Sequence, residues 1–161
     1  MEQALGSHAP QVAEFYRRHD GFVLYGDLLS EAAGIVLFPV EQWVEMTDEM
    51  RRGFYFLQEE PETDPDHIFT GIAIATVPYS GNYFVMPIDG STAGQIFYAD
   101  HDGWYDAAFA DDFDGFLVRI TQEPVHLLAK ELGCYTRYSD GQTDAQWIPE
   151  EYFPDVTGIE A

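Results

Sequence analysis

The spacing of apolar residues along the chain predicts four helices. The first follows Pro10, which suits the first turn of a helix, and ends at Asp20-Gly21. The second begins at Pro39, the third is capped by Asp111-Asp112, and the fourth begins at Glu123-Pro124. The positions that this spacing places on the inner faces are Val12, Phe15, Tyr16, His19, Val40, Trp43, Val44, Thr47, Met50, Phe113, Phe116, Leu117, Ile120, Val125, Leu128 and Leu132.

Runs rich in β-branched and apolar residues lie between these helices and predict five short strands. They cover residues 22–25, 35–38, 68–77, 83–88 and 95–99. Turns with glycine separate the last three runs, which is typical of an antiparallel meander. The order helix, strands, helix, sheet, helices therefore predicts an α+β fold with a central antiparallel sheet flanked by helices.

The length and composition fit a single domain spanning residues 1–161. Hydrophobic residues form 46% of the chain, which is enough for a core and argues against global disorder. Residues 134–161 are acidic but contain scattered aromatic residues, among them Tyr138, Trp147 and Phe153. This C-terminal extension is too aromatic for an idle linker, so we expect it to dock on the body of the domain.

A strong acidic bias dominates the charge of the chain. There are 29 acidic residues and 7 basic ones, with a formal net charge of -22. Such a surface repels nucleic acid and anionic lipid, and it attracts basic proteins. Solubility or adaptation to a salty cytoplasm explains the charge equally well. No lysine or arginine occurs between Arg52 and Arg119, so the predicted sheet and its loops carry charge of one sign.

Cysteine content and hydropathy point to the cytoplasm. Cys134 is the only cysteine, which excludes an internal disulfide and a cysteine-based zinc site of the usual kind. The N-terminal residues lack a basic region followed by an apolar run, so we do not expect a secretory signal. No segment approaches the ~20 consecutive apolar residues of a membrane span.

Candidate catalytic and metal chemistry is sparse. His101 lies between Asp100 and Asp102, an arrangement that suits a metal ion or a base, although a solvated turn is the commoner explanation for such a triplet. The acidic stretches around Asp102 and Asp112 lack the first carboxylate and the terminal glutamate of a calcium loop. No phosphate-binding glycine loop, dinucleotide fingerprint or nucleophile elbow is present. We therefore expect no enzyme activity, no cofactor and no metal.

Aromatic residues among carboxylates are the best candidates for partner binding. Trp104 and Tyr105 follow a glycine turn and are flanked by Asp102 and Asp106. Aromatic residues are enriched at interface hot spots, and carboxylates around them suit a basic partner. Trp104 could instead cover one end of the sheet. With the acidic loop of residues 58–67 included, the candidate partner-binding residues are Glu59, Glu60, Glu62, Asp100, Asp102, Trp104, Tyr105 and Asp106.

Several segments of the chain resemble the SUKH superfamily. Residues 9–22 are similar to its opening helix, with a proline, paired aromatic residues and a glycine turn into the first strand. Residues 34–38 resemble its next element, which leads into a second helix. Residues 72–75 and 83–86 resemble its central hairpin, and residues 109–117 resemble its closing helix.

The resemblance implies an α+β fold without enzymatic activity. Many bacterial members of the superfamily resemble immunity proteins, which bind and neutralise a toxin, often a nuclease, made by the same cell. Nucleases have basic substrate grooves, so an acidic inhibitor agrees with the charge of this chain. We therefore expect an immunity protein that binds a basic toxin domain. Two alternatives stay open: a regulatory or scaffolding module of the same fold with another partner, and a metal-dependent enzyme that uses Asp100, His101 and Asp102.

Overall fold

A computed structural model of the chain describes residues 9–25, 34–54, 70–78, 80–101, 103–104, 107–122, 126–127 and 131–132. Within these residues, strands form one antiparallel sheet flanked by helices, which confirms the predicted α+β fold. The helices are α1 (Ala9–Tyr16), α2 (Trp43–Gly53) and α3 (Phe113–Thr121). The strands are β1 (Phe22–Leu24), β2 (Ile35–Leu37), β3 (Gly71–Val77), β4 (Asn82–Pro87), β5 (Phe97–Asp100) and β6 (Gly103–Trp104).

The strands lie in the sheet in the same order as in the sequence, and each neighbouring pair is antiparallel. The predicted meander of three strands is therefore the centre of a larger sheet. β1 and β2 extend it on one side, and β6 adds two residues on the other side, where the sequence predicted no strand. The second helix also starts later than predicted, because one 3-10 turn, Val40–Gln42, separates Pro39 from α2.

Helices lie on both faces of the sheet. Successive side chains of a strand point to opposite faces, so Tyr83 and Phe84 of β4 identify the two sides. The ring centroid of Phe84 lies 5.1 Å from that of Phe116 in α3. Tyr83 interacts with the carboxylate of Glu49 in α2, and burial, together with the charge of Glu49, raises the pKa of Tyr83. Thus α3 covers one face of the sheet and α2 covers the other.

Side chains of α2 complete the hydrogen bonding of β3 beyond the end of β2. β2 pairs with β3 at residues 75 and 76. Nearer the start of β3, the Thr47 hydroxyl accepts from the amide of Ala73 at 3.0 Å, and Arg51 Nη2 donates to the carbonyl of Gly71 at 3.2 Å. A buried strand amide without a partner would cost about 1–3 kcal/mol, which explains a buried polar residue at position 47.

The backbone carbonyl of Phe38 joins α1, α2 and the end of β2. It accepts hydrogen bonds from the Tyr16 hydroxyl at 2.8 Å and from Trp43 Nε1 at 3.3 Å. The rings of Tyr16 and Trp43 meet edge to face, with centroids 5.2 Å apart. Burial raises the pKa of Tyr16, so its hydroxyl remains a neutral donor to this carbonyl.

Among the described residues, the predicted inner positions agree with the structure except at Val44 and His19, while Val125 and Leu128 lie outside the described residues. Val44 is 75% exposed, because the buried stripe of α2 is narrow and follows the spacing Trp43, Thr47 and Met50. His19 is exposed because α1 ends at Tyr16. Most of the fourth predicted helix and the C-terminal extension, residues 134–161, lie outside the described residues. Among the helices that are described, none combines the length and apolar character needed to cross a bilayer.

Gly21→Ala is expected to destabilise the fold far more than Gly90→Ala. Both glycines have a positive φ, 70° and 78°, so both substitutions introduce backbone strain of about 1–2 kcal/mol. A Cβ at Gly21 would also lie 2.3 Å from the carbonyl oxygen of Leu37, whereas nothing lies within 4 Å of one at Gly90. Urea unfolding should therefore show at least ~2 kcal/mol more loss for Gly21→Ala. Equal losses would contradict the close contact between Gly21 and β2.

Candidate functional site

Two turns meet at one end of the sheet. The β3–β4 turn ends at Gly81 and Asn82, and the β5–β6 turn begins at His101. Gly81 has a φ of 78°, and a Cβ there would lie 3.6 Å from the His101 ring. The ring therefore lies against the backbone of the neighbouring turn. We call residues 80–82 and 100–101 the paired turns.

The side chain of Asn82 connects the paired turns to the core. Its Oδ1 accepts from the His101 amide at 3.0 Å and lies 2.8 Å from His101 Nδ1. Its Nδ2 donates to the Tyr98 hydroxyl at 2.7 Å, and that hydroxyl donates to the carbonyl of Leu132 at 3.0 Å. Asn82, Tyr98 and Leu132 are all buried. A continuous chain of hydrogen bonds thus runs from a surface turn into the interior.

The backbone amide and carbonyl of Asn82 are also hydrogen-bonded. Its amide donates to Ser80 Oγ at 2.9 Å, and Ser80 Oγ donates to the carbonyl of Val77 at 2.6 Å. The carbonyl of Asn82 accepts from Thr76 Oγ1 at 2.8 Å. The conformation of the β3–β4 turn is therefore determined at both ends, and through Asn82 it determines the position of His101.

Among the eight predicted binding residues, Asp100 is the one whose side chain the structure describes. It ends β5 opposite Gly103 of β6, and its side chain is 23% exposed. Its Oδ1 lies 3.8 Å from Nδ1 of His101, whose side chain is 49% exposed. The paired turns therefore present a carboxylate and an imidazole side by side at the surface.

The other predicted binding residues are described in part or not at all. The backbone of Trp104 pairs with Ala99 in β6, which brings it to the strand beside Asp100. The remaining predictions lie outside the described residues: Glu59, Glu60, Glu62, Asp102, Tyr105 and Asp106. The role of Asn82 could not be predicted from the sequence, because Ser80-Gly81 predicts a turn there but nothing in the pattern indicates a partner 19 residues away.

The described residues add no ligand to the metal site predicted from Asp100, His101 and Asp102. Within those ranges, no three His, Cys, Asp or Glu side chains gather closely enough to hold a metal ion. Asp102 is outside the ranges, so metal binding by Asp100, His101 and Asp102 stays a prediction.

Two ion-pair clusters involve arginines on helices. Arg17 and Arg18 contact the carboxylate of Glu14 at 2.5 and 2.6 Å, and the hydrogen bond from Arg17 lowers the pKa of Glu14. Arg119 of α3 contacts Glu131 at 2.5 Å. These clusters belong to α1 and α3 and not to the paired turns.

A second acidic surface lies on the outer side of α2. Glu45 and Asp48 of α2 and Glu41 of the preceding 3-10 turn are exposed there, and Val44 is exposed among them. Their spacing of three to four residues places them on one side of the helix. The acidic character agrees with the sequence analysis, but the exposed valine was expected in the core.

Comparison of the chain with protein-family models, with curated proteins and with solved structures finds no match. The resemblance to the SUKH superfamily therefore stays a prediction from the sequence motifs. The fold and the paired turns define the class of protein more coarsely, as an α+β domain whose antiparallel sheet ends in two turns held by buried hydrogen bonds.

Asn82→Ala is expected to lower the free energy of unfolding by about 2 kcal/mol, because it removes a hydrogen-bonding partner from the His101 amide and from the buried Tyr98 hydroxyl. Urea unfolding measures the loss, and amide exchange at His101 should become faster. Ser91→Ala, at an exposed position in the β4–β5 turn, is the control and should change stability by less than ~0.5 kcal/mol. Equal effects of the two substitutions would show that the hydrogen bonds of the Asn82 side chain contribute nothing to the free energy of unfolding.

Proposed function

We propose that this chain is a non-catalytic binding domain for a basic protein, with its binding surface at the paired turns and the acidic residues next to them in the sequence. We further propose that the partner is a toxin domain and that the chain is its immunity protein. One observation carries the binding proposal. The segment that builds β3 to β6 contains no lysine or arginine, and its paired turns carry Asp100 at the surface.

The distribution of charge supports this proposal over bulk solubility. Like charges on one segment repel each other and destabilise a compact state. At α1 and α3, ion pairs relieve that repulsion, between Arg17, Arg18 and Glu14 and between Arg119 and Glu131. Along β3 to β6 the sequence supplies no such cation. A one-signed surface of this kind raises the rate of association with an oppositely charged partner.

The hydrogen bonds of Asn82 support recognition at the same place. A surface that is already ordered loses little conformational entropy on binding, so more of its interaction energy appears as affinity. Asn82 orders the His101 backbone and the turn that follows Asp100 through contacts of 2.7 to 3.0 Å. The paired turns are therefore suited to present charge in a constant geometry.

The choice of a toxin as the partner depends on the resemblance to the SUKH superfamily. A nuclease toxin needs a basic groove for its substrate, and an acidic surface can occupy that groove by charge complementarity. Inhibition of this kind requires binding alone, so no catalytic residue is assigned to the chain.

The immunity proposal predicts that this chain rescues cells from the toxic product of the reading frame beside its gene. We expect that product to stop growth when it is expressed alone, and we expect growth to return when this chain is expressed with it. Colony counts with and without the chain measure the rescue. A harmless neighbour, or killing that persists although the chain is well expressed, would contradict the immunity role and favour a regulatory partner.

The location of the binding surface predicts that equal charge changes at the two ends of the sheet have unequal effects. One variant carries Asp100→Asn, Asp102→Asn and Asp106→Asn. At low salt its association with the toxin domain should slow about tenfold, because the steering charge is lost. Stopped-flow fluorescence measures the rate, and the difference should shrink as salt is added.

The matched control removes the same amount of charge from the opposite end of the sheet. It carries Asp89→Asn, Asp111→Asn and Asp114→Asn, at exposed positions that leave the cap of α3, Asp112, intact. Asp89 follows the end of β4, and Ala110 bridges to Ile96 just before β5, so both lie away from the paired turns. We expect less than about a threefold change in rate. Equal slowing by the two variants would reject the paired turns as the binding surface.

A further inference from the structure

A cleft of about 190 Å³ opens between β5, the segment before α3 and residues 131–132. The buried side chains that line it are Tyr98, Phe109 and Leu132. Ala107 and Ala108 line it as well, and their small side chains leave the space open. An apolar cavity of roughly 150 Å³ is large enough to hold benzene. The cleft therefore has room for one six-membered ring.

Hydrogen bonds to the backbone hold the walls of the cleft in place. On one side, the Phe109 amide donates to the carbonyl of Ile96 at 2.7 Å, and the Ile96 amide donates to the carbonyl of Ala110 at 2.8 Å. On the other side, the Tyr98 hydroxyl donates to the carbonyl of Leu132 at 3.0 Å. The cleft is thus formed before anything binds in it, which keeps the entropy cost of binding small.

The guanidinium of Arg119 forms the charged wall of the cleft. Its Nε and Nη2 donate to Glu131 Oε2 at 3.2 and 2.5 Å, and its Nη1 donates to the carbonyl of Phe109. Its Cζ lies 4.0 Å from the centre of the Phe109 ring. The side chain of Arg119 is nevertheless 43% exposed and lines the cleft. Since one side of the guanidinium lies against Phe109, the exposed part is the side turned away from that ring.

The chemistry of this wall favours an aromatic ring over other occupants of the same size. A guanidinium is weakly hydrated and stacks on aromatic faces, which are electronegative. Three of the N–H groups of Arg119 are directed at Glu131 and Phe109, and the Glu131 carboxylate balances its charge, so a free anion gains little. An aliphatic group would fill the cleft but would lack the attraction to the cation. The charge complementarity therefore selects the face of an aromatic ring.

We propose that this cleft binds an aromatic side chain of the protein partner. The inference rests on the proposed function, because the partner is the one that binds at the paired turns. Tyr98 connects the two places, since it lines the cleft and its hydroxyl accepts from Asn82 Nδ2 at 2.7 Å. Asp100 lies two residues further along β5, on the same face and about 7 Å away. A partner seated on the paired turns therefore reaches the cleft within one interface.

The cleft and the carboxylates have different roles in such an interface. Exposed charge of one sign mainly raises the rate of association with a basic partner. An aromatic anchor that is desolvated in a preformed pocket mainly lowers the rate of dissociation. The two contributions can therefore be separated by measuring the two rates.

The first test uses p-cresol, the side-chain analogue of tyrosine, as the probe of the cleft. It is titrated into the ¹⁵N-labelled full chain, and the amide shifts of Ala107, Ala108 and Phe109 report binding. We expect a dissociation constant of roughly 1–10 mM. The control ligand is 4-methylcyclohexanol, which has the same number of non-hydrogen atoms but no aromatic face. It should bind about two- to fivefold more weakly, because it cannot interact with the cation through a ring face.

A matched pair of variants confirms where p-cresol binds. Ala107→Leu adds apolar atoms to the cleft at an exposed position, so the fold is retained and p-cresol binding should weaken at least about fivefold. Ser91→Leu makes the same kind of change in the exposed β4–β5 turn and should leave binding unchanged. Absence of p-cresol shifts at the cleft, or equal binding of the two ligands, would overturn the inference.

The second test uses the product of the reading frame beside the gene as the partner. Stopped-flow fluorescence measures both rates with the full chain. Ala107→Leu should speed dissociation about tenfold and change association by less than about twofold, because it removes the anchor and leaves the charges. The variant with Asp100→Asn, Asp102→Asn and Asp106→Asn should show the opposite pattern, and Ser91→Leu should match the wild type.

The outcomes separate this inference from the function on which it rests. If the partner binds with the expected dependence on carboxylates but dissociates from Ala107→Leu as slowly as from the wild type, the cleft is not an anchor site and the proposed function stands. If the product does not bind this chain at all, the anchor role falls together with the proposed function. Binding of p-cresol would then assign the cleft to a free small aromatic molecule instead of a partner side chain.

Discussion

The arrangement of the paired turns depends on one side-chain amide, that of Asn82. It is buried, and a buried amide is tolerated only where its oxygen and its nitrogen both find partners. The oxygen finds them at His101 and the nitrogen at Tyr98, which follow Asn82 in the sequence by 19 and 16 residues. A shift of either turn would leave one end of the amide without its bond, so the hydrogen-bonding requirement keeps the turns in register.

The hydrophobic core places Asn82 where this bridge can form. Phe84 packs against the rings of Tyr98, Phe109 and Phe116, with centroid distances between 5.0 and 5.1 Å. Phe84 and Tyr98 are direct neighbours across β4 and β5, and Asn82 lies on the same face of β4 as Phe84. The packing that buries the Tyr98 ring therefore also brings its hydroxyl to Asn82. The geometry of the surface turn therefore depends on the packing of the aromatic core.

Local patterns were sufficient for most of the elements but not for β6 or for the site. The stripe of Trp43, Thr47 and Met50 and the Asp112 cap can be recognised from spacing and residue type, because both depend on neighbours within one helix. The two-residue strand β6 has no such pattern, since it exists through its pairing with β5. The role of Asn82 cannot be recognised from the sequence for the same reason. It depends on the register between strands, which no local run of residues encodes.

The cations of the chain are unevenly distributed along the sequence. Arg17 and Arg18 pair with Glu14, and Arg119 pairs with Glu131, which reduces repulsion at α1 and α3. A net charge of one sign keeps a protein soluble but adds self-repulsion, which interspersed cations would reduce. Between Arg52 and Arg119, however, the only side chains able to carry positive charge are His67 and His101. His101 is held in the paired turns by the same amide that orders the turns, which places its ring beside the carboxylate of Asp100.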